Sequence, residues 1–161
     1  MRNKTIQVTP IKTDDQESAL FPALRDKTWA EVSLDACARR DFAEGPNPLL
    51  NADFCAQWVD ALAQEHKADF TFGGYLEDRA HLWRGHYLAS GPQIHLGVDY
   101  NVPVGTVAAL ADGDVVHIGR DGSFGGWGGL VVIKHDTPPM TGADYAYYGH
   151  LGWDDTVRLG Q

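Results

Sequence analysis

The spacing of apolar residues changes character partway along the chain. Between Ala52 and Lys67, Phe54, Trp58 and Leu62 recur every four residues, with Val59 alongside. That period gathers them on one face, so the spacing predicts an α-helix over 52–67. Asn51 or Asp53 can cap its start by accepting a hydrogen bond from an amide that has no partner within the first turn. Pro46 and Pro48 punctuate the loop before it. A second helix is expected near Ala30–Phe42, and Pro22 interrupts any helical reading ahead of it.

From Asp69 onward the apolar runs shorten. Phe70–Tyr75, Thr106–Leu110, Val115–Gly119, Leu130–His135 and Tyr145–His150 are rich in Val, Ile, Tyr and Thr. Turn residues such as Ala111-Asp112-Gly113-Asp114 and Asp121-Gly122-Ser123 separate them, so each run predicts a strand. Short strands at this spacing indicate an antiparallel sheet or a barrel-like sandwich. The expected fold is mainly β with N-terminal helices, an α+β chain. It divides by texture into a helical region, 1–68, and a β domain, 69–161. The glycine-rich stretch Gly119–Gly129 lacks the Lys-Ser/Thr ending of a phosphate loop, opens no helix and reads as a hairpin connection. Phe72–Trp83, with its Gly-Gly pair, reads equally well as a loop over a site or a simple crossover.

Composition narrows the partners. With 161 residues, 43% hydrophobic and 11% aromatic, the chain is long and apolar enough for one cored domain. A net charge of −9 argues against a nucleic-acid backbone or an anionic membrane surface, both of which need a basic face. The first residues, MRNKTIQVTPIKTDDQES, hold no apolar core of signal-peptide length, and no later run approaches a membrane span. The expected location is cytoplasmic, or secreted or periplasmic if a leader has been removed. Cys37 and Cys55 form no CxxC pair and read as two free or buried thiols, with a Cys37–Cys55 bridge only in an exported protein.

Seven histidines carry the candidate chemistry: His66, His81, His86, His95, His117, His135 and His150. The spacing His-x-x-x-Asp occurs three times, at His95/Asp99, His117/Asp121 and His150/Asp154. On a straight strand such residues share a face but lie about 13 Å apart. Zinc needs its ligand atoms about 2 Å from the ion. Such a pair therefore converges only where the strand bends, and each has an intervening glycine: Gly97, Gly119 or Gly152. Asp121 falls in an Asp-Gly turn, which explains it by turn chemistry, and Asp154 sits beside Asp155 in a polar loop. Spacing and glycine alone do not choose among the three.

Local context does. His95-Leu-Gly-Val-Asp99 is followed by Val102-Pro103-Val-Gly105-Thr106 and then by Ala111-Asp-Gly113-Asp-Val115-Val116. Gly128-Gly-Leu-Val-Val-Ile-Lys-His135, Tyr147-Tyr-Gly-His150-Leu151 and Val157-Arg-Leu-Gly160-Gln161 follow in order. Together these resemble the signature of the lysostaphin-like zinc endopeptidases. The likeness covers roughly residues 70–161 and is strongest from 94 to 161. It implies a sheet sandwich built on a duplicated hybrid motif and a zinc cofactor. It implies His95 and Asp99 as the first two metal ligands and His150 as a catalytic histidine. It implies peptide or peptidoglycan substrates, the cross-bridges of bacterial cell walls. In that family a His-x-His segment supplies the third ligand further along. No His-x-His occurs in these 161 residues, so the domain reads as C-terminally incomplete.

The other residues carry plainer expectations. His81 and His86 precede the site on a loop and are candidates to replace the third ligand. His135 reads as a strand-end histidine, and His117 as a core or surface residue of its strand. Tyr145, Tyr147 and Tyr148 read as packing. Arg79 and Tyr87 lie on the approach to His95, where a substrate groove would run. The expected function is a zinc-dependent metalloendopeptidase. The alternatives are a non-catalytic binding or regulatory module on the same fold, or a fragment with an exposed sheet edge.

Overall fold

A computed structural model describes residues 16–85, 93–103, 105, 107–123, 126–136, 144–152 and 159. In chain order the elements are α1 (Gln16–Leu20), β1 (Trp29–Glu31), α2 (Leu34–Asp41), α3 (Ala52–Glu65), β2 (Phe70–Gly73), β3 (Asp99–Asn101), β4 (Gly113–Asp121), β5 (Gly128–His135) and β6 (Tyr145–Leu151). The chain is mainly β with helices toward its N-terminus, as the pattern of apolar residues predicted.

Helix α3 begins where its cap residue allows. The Asn51 side chain accepts from the Phe54 amide at 2.9 Å and satisfies one donor of the first turn. Its inward face carries Trp58 and Leu62, which pack with Ala38 and Leu82 in a common core. The predicted face is narrower than its spacing suggests, because Phe54 is 41% exposed and only edges onto Phe42. The Trp58 indole donates to Asp41 at 2.8 Å, which gives its buried N–H a partner.

Helix α2 is shorter than the expected 30–42 span. Residues 29–31 form a strand instead, and Ser33 caps the helix by accepting from the Ala36 amide at 3.1 Å. The competing force is aromatic packing: the Trp29 ring lies 5.3 Å from Phe70 and 6.1 Å from Tyr100. Strand β1 therefore pairs with β2, in register Trp29↔Phe70 to Glu31↔Phe72.

That pairing corrects one expectation. The first sheet, in order β1-β2-β3, is mixed rather than antiparallel: β1 and β2 are parallel, β2 and β3 antiparallel. The β1–β2 connection carries both long helices, which is the length a parallel crossover requires. The second sheet, β4-β5-β6, is an antiparallel meander. Both sheets are open among the described residues, with no closed barrel. The expected strand at 106–110 does not form over its described part, 107–110, where the Leu110 amide donates to the Tyr148 hydroxyl instead.

By contacts the chain forms two compact units, Asp26–Gly105 and the pair of segments Met1–Arg25 and Thr106–Gln161. The first holds the mixed sheet with α2 and α3, and the second holds the meander. Within the meander, Val115, Ile133 and Ala146 stand in register on one face, with Ile118, Val131 and Tyr148. The opposite face presents His117, Val132 and Tyr147, and Tyr147 is 69% exposed. The two faces thus divide apolar from mixed residues with the period of two of a strand, although Val132 on the mixed face is itself buried. Each outer strand carries one register shift, at Val115/His117 in β4 and opposite Gly129/Val131 in β6.

Candidate metal centre and the second histidine

His95 and Asp99 lie in the Asp26–Gly105 unit. The backbone of His95 is pinned on both sides by the loop that leaves β2. Its amide donates to the Glu77 carbonyl at 2.8 Å, and its carbonyl accepts from the Leu76 amide at 2.8 Å. Two glycines turn the chain into that loop, Gly73 at φ +150° and Gly74 at φ +92°. At Gly74 a side chain is excluded: a Cβ would collide with the Arg79 guanidinium and lie 2.9 Å from His95 Nδ1.

The orientation of the His95 ring follows from this backbone. Nδ1 lies 2.9 Å from the Gly74 carbonyl oxygen. A carbonyl only accepts, so Nδ1 carries the proton, and in the neutral ring Nε2 keeps its lone pair. Nε2 faces Asp99 Oδ1 at 3.6 Å, too far for a hydrogen bond. Residues four apart in an extended segment meet here because the chain bends at Gly97, between them. The other carboxylate oxygen is already engaged: Asp99 Oδ2 accepts from Arg79 Nη1 at 2.5 Å.

Arg79 is 4% exposed, and its surroundings are built around it. Its Nε donates to Glu77 Oε2 at 2.8 Å, and its guanidinium lies 5.6 Å from the centre of the Trp83 ring. Glu77 Oε1 in turn accepts from the Ser33 hydroxyl at 2.5 Å and the Asp35 amide at 3.1 Å. A carboxylate at the start of α2 is favoured by the free amides there. Asp35, beside it, accepts from the His81 and Leu82 amides at 3.0 and 2.7 Å. The loop after β2 is therefore fastened to the first turn of α2 at two carboxylates.

His150 lies in the other unit, near the end of β6. It has φ +57°, a left-handed conformation that side chains other than glycine seldom adopt. The register shift in β6 falls here, with Val131 opposite Tyr148 but Gly129 opposite Leu151. A bulge of this kind re-aims a side chain. The His150 amide donates to the Trp127 carbonyl at 2.6 Å, and the two rings stack at 5.9 Å with 20° between their planes. Gly149 makes room for this stack, since a Cβ there would lie 2.7 Å from the Trp127 ring. Trp127 is anchored through its amide, which donates to Asp121 at 3.1 Å. The Ser123 hydroxyl, and then the Ser123 and Trp127 amides, hold the Asp121 carboxyl below its ordinary value.

Three other described histidines are placed differently. His81 places Nε2 3.1 Å from the Phe42 carbonyl oxygen, so that nitrogen donates and offers no lone pair to a metal. His86 and Tyr87 lie outside the described residues, as do Asp154 and Asp155. His135 ends β5, buried, with Nδ1 3.2 Å from the Asp112 carbonyl oxygen. The His117 ring folds over Gly119, and Asp121 serves its turn. Among the described residues no group of three or more His, Cys, Asp or Glu side chains is placed to share a metal ion. Cys37 and Cys55 are free thiols.

The sequence pointed to His95, Asp99 and the approach of Arg79. It gave no signal for Glu77, whose carboxylate acts through residues more than forty positions away. Trp127 sits within the glycine-rich stretch, where its isolation among small residues was the available clue. Comparison with protein-family models, with curated protein sequences and with solved structures gives no match.

Proposed function

We propose that the chain carries part of a zinc-dependent metalloendopeptidase domain of the peptidoglycan-hydrolase kind, with His95 and Asp99 as two of the three protein ligands that a catalytic zinc takes and His150 as the catalytic histidine. One observation carries this reading. The Gly74 carbonyl fixes the His95 tautomer, so a nitrogen lone pair and a carboxylate oxygen face each other at 3.6 Å with no proton between them in the neutral ring. Imidazole nitrogen and carboxylate oxygen are a donor set suited to zinc, and the Nδ1–H donated to a carbonyl is the outer-sphere contact that metal-bound histidines make. Two open sheets, one of them an antiparallel meander, suit the sandwich that the resemblance implies.

Bound there, zinc would supply a Lewis acid and a water activated to hydroxide near neutral pH. The protein's own residues would do the rest. His95 and Asp99 would hold the ion, Gly74 and Arg79 would keep those two side chains in place, and His150 would be the general acid–base partner. The substrate class is a peptide, as in a peptidoglycan cross-bridge, and the acidic chain favours a neutral or cationic one.

A second reading, a binding or regulatory module without turnover, draws on the Arg79–Asp99 ion pair. That carboxylate already has an internal cation, so the pair is satisfied without a metal. Isothermal titration with zinc, followed by a turbidity assay on purified cell walls, separates the two. The peptidase reading requires stoichiometric zinc lost in His95→Ala, together with wall hydrolysis. Zinc binding without hydrolysis favours the binding module, and no zinc binding at all overturns the metal centre.

A further inference from the structure

The buried guanidinium of Arg79 has more contacts than an incidental ion pair would need. Its Nε and Nη1 hold two different carboxylates, Glu77 Oε2 at 2.8 Å and Asp99 Oδ2 at 2.5 Å. Its Nη2 is buried, has no hydrogen-bond partner and lies against Gly74, where a Cβ would collide with it. The same Gly74 carbonyl takes the Nδ1 proton of His95. Burying a charge is unfavourable unless it is well paired, and truncating either partner leaves the other stranded. An apolar residue would pack at this place with less demand on its neighbours.

We infer that Arg79 is the positioning residue of the His95–Asp99 pair, and that Glu77 and the first turn of α2 hold it in place. This rests on the metal-centre reading above. The guanidinium engages Oδ2 and so determines which way the Asp99 carboxylate is turned, leaving Oδ1 toward the His95 lone pair. The planar fork of arginine reaches both carboxylates at once, and lysine, with a single ammonium, does not reproduce that geometry. Glu77 is the strut: it accepts from Arg79 on one oxygen and from Ser33 and Asp35 on the other. The segment around Ser33 thereby reaches the candidate site through two side chains, although it lies more than sixty positions before His95.

The test compares Arg79→Lys and Glu77→Gln with the wild-type full chain in two readouts. The first is zinc affinity by calorimetry, alongside thermal midpoints. Loss of an outer-sphere partner typically weakens metal binding roughly tenfold to a hundredfold, and that is the expected effect of Arg79→Lys at an unchanged fold. Zinc binding as tight as wild type, or tighter, would show Arg79 to be a competing cation and overturn the inference. The second readout needs no metal: three-bond NMR couplings at Asp99 report whether its side chain holds one rotamer. Wild type should hold one rotamer, and Arg79→Lys should average several. An Asp99 rotamer unchanged in both variants would also overturn the inference. If wild type binds no zinc but Asp99 loses its rotamer in Arg79→Lys, the metal centre fails while the positioning role stands.

Discussion

His95 Nδ1 and the Gly74 carbonyl oxygen lie 2.9 Å apart, and this contact decides which nitrogen of His95 faces Asp99. It also explains why position 74 carries no side chain. With φ +92° and the Arg79 guanidinium packed against it, Gly74 has neither the backbone freedom nor the space for a Cβ. Gly74→Ala should destabilise the Asp26–Gly105 unit by on the order of 2–3 kcal/mol, from backbone strain and displaced Arg79 together. Denaturant unfolding followed by Trp fluorescence measures this. A variant of wild-type stability would mean the loop relaxes freely.

His150 should show a split between stability and activity. Its φ of +57° disfavours any residue with a Cβ. His150→Gly is therefore expected to be more stable than His150→Ala by about 1 kcal/mol. On the proposed peptidase reading, both variants should lose roughly a hundredfold or more in turnover with zinc supplied, the usual contribution of a positioned acid–base group. Equal stabilities would remove the strain argument, and retained turnover would remove the catalytic role.

Trp127→Ala should act on the same residue from a distance. It deletes the ring stacked on His150 but keeps the backbone carbonyl that accepts from the His150 amide. The His150 ring proton shifts should move toward free-imidazole values as the indole ring current disappears, while the β4-β5-β6 amide shifts far from the turn stay in place. Unmoved His150 ring shifts would mean that the stack does not persist in solution.

Asp69 gives an acid-sensitive contact where β1 and β2 begin. The Thr28 amide, then the Thr28 hydroxyl and Lys27, lower its pKa from 3.8 to about 2. A depressed carboxyl stabilises the fold above its unfolded value, and that contribution fades as pH falls from about 4 through about 2. Asp69→Asn should flatten the pH dependence of the unfolding midpoint within that window and leave it alone near neutrality. An identical acid profile in the variant would show that the contact is not kept in solution.

The two thiols should be slow to react. Burial raises the pKa of both Cys37 and Cys55, with Arg40 partly opposing it at Cys37. The thiolate is the reactive species, so alkylation by iodoacetamide should be slower than for a free thiol at pH 8 and should accelerate on unfolding. Fast labelling of the native protein would indicate that these sites open readily.

How far the sequence reached is visible element by element. Helix α3 was legible because one apolar face and one cap residue state the same thing locally. Strands β4, β5 and β6 were legible because turn residues bracket them and alternation marks their faces. Strand β1 was not, since Trp29-Ala30-Glu31 becomes a strand only when Phe70 and Tyr100 supply a partner and a packing surface. The absence of a strand over 107–110 is the opposite case: within Val107-Ala-Ala-Leu110 only Val107 favours a strand, and the Leu110 amide donates to the Tyr148 hydroxyl.

The sequence by itself determined the elements with strong local periodicity, the three His-x-x-x-Asp spacings that offer candidate residues, and the glycine between His95 and Asp99. Local information sufficed there, because capping, alternation and turn preference act within a few residues. Only the tertiary structure decided that Nδ1 of His95 meets Gly74, that Arg79 holds one oxygen of Asp99, and that Glu77 and Ser33 hold Arg79. Those contacts join positions tens of residues apart, and hydrogen-bond direction depends on coordinates that no spacing along the chain encodes.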